Sequence, residues 1–146
     1  MPFFQQPLPV GTAAPPFELP DENGDVFVLD RNRSRNVVLV FYPGDDTAIC
    51  TSQLCDLRDN WDRLKSRNAI VVGINQADAA SHGGFKKKHQ YPFPLLVDSG
   101  RRVAKLYHSG SFITRRTVYA IGTDGTILFA QRGKPSVDEI LAAIPQ

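Results

Sequence analysis

NVVLVFYPGDDTAICTSQLCDLRDNWDRLKSRNAIVVGI, residues 36–74, is the stretch that decides the fold. Asn36 to Tyr42 is an unbroken β-branched and aromatic run with no alternation. It predicts a strand buried on both faces, as at the centre of a mostly parallel sheet. Pro43 and Gly44 interrupt it. From about Thr47 to Arg67 the apolar residues Cys50, Leu54, Leu57, Trp61 and Leu64 recur at spacings of 4, 3, 4 and 3. At about 100° per residue these five fall within an arc of roughly 80°, which predicts one long amphipathic helix. Ala69 to Ile74 is a second buried strand. Strand, helix and strand in this order, with both strands apolar throughout, define an α/β protein.

The pattern continues outward. Ala79 to Gln90 reads as a polar helix, Phe93 to Val97 as a short strand and Arg101 to Tyr107 as a short helix. Thr117 to Ile121 and Thr126 to Ala130 form a hairpin around Thr123-Asp124-Gly125, since Asp-Gly is a strong turn dipeptide. Ser136 caps a last helix, Val137 to Ile144, with Glu139 completing a capping box. Upstream, Asn23-Gly24 marks a turn before a short strand through Val26 and Val28. The opening Met1 to Pro20, with six prolines, reads as extended and irregular. No repeat, low-complexity tract or domain boundary interrupts the chain. The expectation is a single domain over 1–146, an α/β sandwich around a mixed central sheet with an N-terminal extension.

Composition narrows function by exclusion. Seventeen Lys+Arg against fifteen Asp+Glu leave a net charge of +2, which argues against a polyanion-seeking protein and against nucleic acid as partner. No run approaches the roughly 18 apolar residues of a membrane helix. The opening has no basic residue, unlike a secretory or transit segment, so a cytoplasmic location is expected. His82, His89 and His108 lie 7 and 19 residues apart without carboxylates or thiols at ligand spacing, so no metal site is expected. Lys86-Lys87-Lys88 reads as a solvated helix face. Tyr42, Phe85, Tyr91 and Phe93 read as core or pocket rim.

Two cysteines, Cys50 and Cys55, remain to be explained. Cys50 sits in the first turn of the predicted helix, in line with its packing face. Unpaired N–H groups and the partial positive charge of a helix N-terminus favour thiolate over thiol there. Cys55 lies about 140° round the helix, off the stripe. Residues five apart on an intact helix have Cα atoms about 8–9 Å apart, beyond the roughly 4.4–6.8 Å of a disulfide. The pair is therefore either two unconnected thiols or a redox pair whose bonding requires the helix to unwind.

Pro43-Gly44-Asp45-Asp46-Thr47-Ala48-Ile49-Cys50, a Pro-x3-Thr-x2-Cys arrangement following a buried strand, resembles the active-site motif of peroxiredoxins. The wider run FYPGDDTAICTSQLCDLRD resembles the bacterioferritin-comigratory, or Q-type, branch, whose second cysteine lies five residues on. Gly11 to Gly24, Val71 to His82, Tyr91 to Asp98 and Arg116 to Gly125 extend the resemblance in order and spacing over most of the chain. Two departures stand out. Ala48-Ile49 replaces the Pro-Gly commonly found there, with the bulkier Ile49 bearing on access, and Gln53 stands where many relatives have Glu.

The resemblance implies a thioredoxin-like fold and a peroxidase that uses no metal, haem or flavin. It places the peroxidatic cysteine at Cys50 and the resolving cysteine at Cys55. The motif hydroxyl falls on Thr47, the proline that shields the nucleophile from water on Pro43, and the arginine that holds the thiolate on Arg116. Arg115 is the alternative for the last role, but strand alternation points the two to opposite faces. The implied substrates are hydrogen peroxide and organic hydroperoxides. The implied reductant is thioredoxin or a glutaredoxin-like dithiol, acting on a disulfide within one chain, so that a monomer suffices. Two other readings of the same residues are a redox sensor or binding protein switched by Cys50–Cys55, and a structural module with inert thiols.

Overall fold

The computed structural model describes residues 5–145. The first four residues and Gln146, which belong to the domain expected over 1–146, lie outside them. Five strands form the central sheet: β3 (Asn36–Phe41), β4 (Ala69–Asn75), β5 (Leu95–Val97), β6 (Thr117–Ile121) and β7 (Ile127–Arg132). Their order is β5-β4-β3-β6-β7. β3 pairs parallel with β4, and β4 with β5, whereas β3–β6 and β6–β7 are antiparallel. The expected mixed sheet flanked by helices is what forms, and its β4-β3-β6-β7 core is the thioredoxin-like arrangement.

β3 is central because every one of its residues is apolar or otherwise suited to burial on both faces. All six are buried. Val38 and Val40 face one core with Leu54, Leu57, Leu64 and Ile140. Val37, Leu39 and Phe41 face a second core with Phe17, Val103, Tyr107 and Tyr119. Leu54, Leu57 and Leu64 are each at most 2 % exposed, and full burial of such a side chain is worth about 1.5–3 kcal/mol.

The helices are α1 (Ala48–Asp59), α2 (Trp61–Ser66), α3 (Ala79–His89), α4 (Arg102–Leu106) and α5 (Val137–Ala143). The single helix expected from Thr47 to Arg67 is thus two. Asn60 departs from helical geometry (φ −109°, ψ 20°), and its Nδ2 donates to Asp56 O at 2.8 Å, closing the end of α1. The apolar stripe nonetheless runs across the break, which explains why periodicity alone did not reveal it. The capping box is present, with Ser136 Oγ accepting from the Glu139 N–H and Glu139 accepting from the Ser136 N–H.

The N-terminal segment is more regular than expected. β1 (Glu18–Pro20) pairs antiparallel with β2 (Val26–Val28). Residues 11–14 run beside the start of β7: the Gly11 N–H donates to Ile127 O at 2.8 Å, and the Ile127 N–H donates to Thr12 O at 2.9 Å. Among the described residues no helix is long and apolar enough to cross a membrane.

Candidate active site

β3 delivers the chain into the loop Tyr42–Thr47, and the loop delivers it into α1. Thr47 is the N-cap in extended geometry (φ −83°, ψ 153°), and its Oγ1 accepts from the Cys50 N–H at 3.3 Å. A capping hydroxyl satisfies one of the amides a helix start leaves unpaired. The cap fixes Cys50 in the first turn with its side chain wholly buried. Pro43 begins the loop, and its carbonyl accepts from Gln76 Nε2 at 3.2 Å. Gln76 Oε1 in turn accepts from Thr114 Oγ1 at 2.9 Å.

Arg116 enters from just before β6. Its Nη2 donates to Cys50 Sγ at 3.2 Å, and its Nη1 donates to Gln53 Oε1 at 2.9 Å. Arg115 is exposed, as alternation along an extended segment requires. Gln53, one turn beyond Cys50 on the same face, is only 3 % exposed. The sequence offered a signal for it, since position i+3 from the thiol shares that thiol's helix face. The guanidinium and the capped helix start thus meet at one buried sulfur.

Cys55 is half-buried and Cys50 buried, and both are free. It lies off the stripe of Leu54 and Leu57, as its spacing predicts, and packs against the rim of the same core. Its Sγ lies 3.6 Å from Tyr91 Oη, which also reaches Thr51 O at 3.5 Å. Burial, and then the bond to Cys55, push the Tyr91 hydroxyl well above its ordinary pKa. α1 is continuous between the two thiols.

Behind the loop lies a cluster that spacing did not suggest. Asp45 Oδ1 accepts from Tyr42 Oη at 2.8 Å and from Asn75 Nδ2 at 3.1 Å. Its Oδ2 accepts from Ser81 Oγ at 2.6 Å and lies 2.7 Å from His82 Nδ1. Burial alone would raise the Asp45 carboxyl, but hydrogen bonds from His82 and Ser81, the His82 charge and the Tyr42 bond outweigh it and hold it below its usual range. His82 was expected in a packing or surface role and is fully buried. Of the three consecutive lysines, Lys86 pairs with Glu22 and Lys88 with Asp46, so the face is solvated but not free of partners. Among the described residues no group of three or more His, Cys, Asp or Glu is placed to hold a metal ion.

A buried thiol at a capped helix start, facing an arginine from the neighbouring strand, is the arrangement of a thioredoxin-fold protein built around a cysteine. Comparison with known proteins makes the class specific: the chain belongs to the AhpC/TSA family, whose model matches residues 10–130. Peroxiredoxin Q, chloroplastic, of Oryza sativa subsp. japonica is 47 % identical over 95 residues, 65 % of this chain and 44 % of that protein. The chain therefore spans under half the length of such curated relatives. The crystal structure of peroxidoxin BcpB from Mycobacterium tuberculosis superposes with a TM-score of 0.85 at 30 % identity, covering 92 % of this chain and 94 % of that one. A PrxQ structure from Xylella fastidiosa gives the same TM-score and coverage at 22 % identity, a likeness of fold. These are the Q-type and bacterioferritin-comigratory names that the run around Cys50 resembles.

Proposed function

We propose that the chain is a single-domain, thiol-dependent peroxidase acting on hydrogen peroxide and organic hydroperoxides. The observation that carries the reading is the 3.2 Å approach of Arg116 Nη2 to Cys50 Sγ, beside the Thr47-capped helix start. The Cys50 thiolate attacks the distal peroxide oxygen in line. The S–O bond forms as the O–O bond breaks, Cys50 becomes a sulfenic acid, and the other oxygen leaves as water or an alcohol after taking a proton. Arg116, Thr47 and the Cys50 N–H stabilise charge moving onto the leaving oxygen, while Pro43 shields the sulfur from water.

Cys55 then attacks the sulfenate sulfur, forming an intramolecular disulfide and releasing water. Because helix geometry keeps the two cysteines apart, α1 must open first. An external dithiol of the thioredoxin or glutaredoxin-like type restores both thiols by exchange and is itself oxidised. The resolving bond lies within one chain, so the proposed unit is a monomer. The proposed location is the cytoplasm, where thiols are kept reduced.

Peroxide consumption with thioredoxin and its reductase tests the reading. Cys50→Ser abolishes turnover. Cys55→Ser loses coupled turnover yet forms one equivalent of sulfenate, trapped by dimedone. Full activity in Cys50→Ser overturns the mechanism. Normal turnover in Cys55→Ser removes Cys55 as resolver, and a wild type that oxidises once without being recycled is a sensor instead.

A further inference from the structure

The loop that carries Thr47 to Cys50 is tied down by one residue. Asp45 accepts hydrogen bonds from the residue that follows β3 (Tyr42), the end of β4 (Asn75) and the first turn of α3 (Ser81), and it meets His82 on the same helix. His82 Nε2 continues the chain to Leu96 O in β5 at 2.8 Å. The His82 side chain is 0 % exposed and that of Asp45 6 %. A carboxylate and a carbonyl both only accept, so His82 satisfies both ring nitrogens as donors only when doubly protonated. A buried carboxyl with four partners has a precise position, and moving it away would leave several polar groups unsatisfied.

Asp45 lies two positions before the Thr47 cap and five before Cys50. Tyr42, which Asp45 holds by its hydroxyl, is packed in the same core as Cys50. We propose that Asp45 and His82 form a positioning pair for the Cys50 site: they anchor the Pro43–Thr47 loop to α3 and β5, keeping the helix start in register with Arg116. The pair touches neither peroxide nor sulfur. It sets the boundary of movement, so that α1 opens downstream of an anchored loop. This inference rests on the peroxidase reading of Cys50.

The test separates shape from charge. Asp45→Asn keeps the network in neutral form with one bond reversed: one amide N–H donates to a singly protonated His82 Nδ1 and the other to Ser81 Oγ, while Nε2–H still donates to Leu96 O and the amide oxygen still accepts from Tyr42 and Asn75. His82→Phe fills the space but removes both links and leaves Asp45 without its imidazole partner. Both are built on Cys55→Ser, so that a single oxidation of Cys50 is observed. The second-order rate with hydrogen peroxide falls about tenfold or more in His82→Phe, whereas Asp45→Asn retains about a third or more of the parental rate, a rescue by shape. A His82→Phe rate within about twofold of the parent, in a protein whose circular dichroism is unchanged, overturns the proposal. So does an Asp45→Asn rate as low as that of His82→Phe. Should His82→Phe not fold, His82→Gln, which retains one of the two links, is judged by the same thresholds. Alkylation of Cys50 by iodoacetamide is measured in parallel. If the parent fails to react with peroxide, the peroxidase reading fails, and the alkylation rates of the variants still decide whether the pair positions the thiol.

Discussion

Arg116 serves two neighbours with one planar group. Nη2 reaches the Cys50 sulfur at 3.2 Å while Nη1 reaches Gln53 at 2.9 Å, so the glutamine fixes the plane from which the arginine addresses the thiol. A lysine has one point of charge and no fork, and cannot hold both partners in that geometry. Arg116→Lys therefore slows single-turnover oxidation of Cys50 by about 100-fold, measured by stopped flow in a Cys55→Ser background. A rate within a few-fold of the parent would mean that charge alone suffices. At this scale the sequence was legible where a motif spans consecutive residues. Pro43, Thr47 and Cys50 follow one another along one loop and the helix start it leads into, and alternation separated Arg116 from Arg115. It was silent on Asp45 and His82, which are 37 residues apart and meet only because α3 packs beside the loop. Tyr91 was read as core or rim, and its contact with Cys55 depends on packing that no spacing records.

α1 and α2 divide the work at Asn60. α1 carries both thiols, and α2 carries Trp61, whose ring lies 5.8 Å from that of Phe93. Because the break is already made, α1 can lose helical structure without dragging α2 from the core. Oxidation to the disulfide accordingly lowers amide protection across Ala48–Asp59 in hydrogen exchange and leaves Trp61–Ser66 and β3 protected. Cys55→Ser, which forms no such bond, retains protection in α1 after peroxide treatment. Loss that spread equally through α2 would show the two helices opening as one. Elements marked by a continuous apolar run, β3 above all, were readable from the sequence. The three-residue strand β1 lies in a proline-rich segment where periodicity has too few residues to act, whereas β2 was readable from Asn23-Gly24 and the alternating Val26 and Val28, and the break at Asn60 is invisible to a stripe that continues past it.

The whole molecule has an electrostatic link as well as a hydrophobic core, because the Asp45 cluster joins β3, β4, α3 and β5. The Asp45 carboxyl is held below the usual value of about 3.9. A depressed carboxylate stabilises the folded chain above its unfolded value, and that contribution is lost as the pH falls through the lowered folded value. Wild type thus loses thermal stability on acidification below about pH 4, and Asp45→Asn loses less over the same interval, as followed by melting temperature. Identical acid profiles would remove Asp45 from the account. At the other side of the sheet, β7 is an edge strand, and an edge presents unpaired backbone groups to any passing chain. Residues 11–14 occupy the start of that edge with main-chain bonds of their own. That short length of backbone is consequently a guard against self-association: shortening the chain past Ala14 would leave the chemistry of Cys50 in place while exposing a template for aggregation.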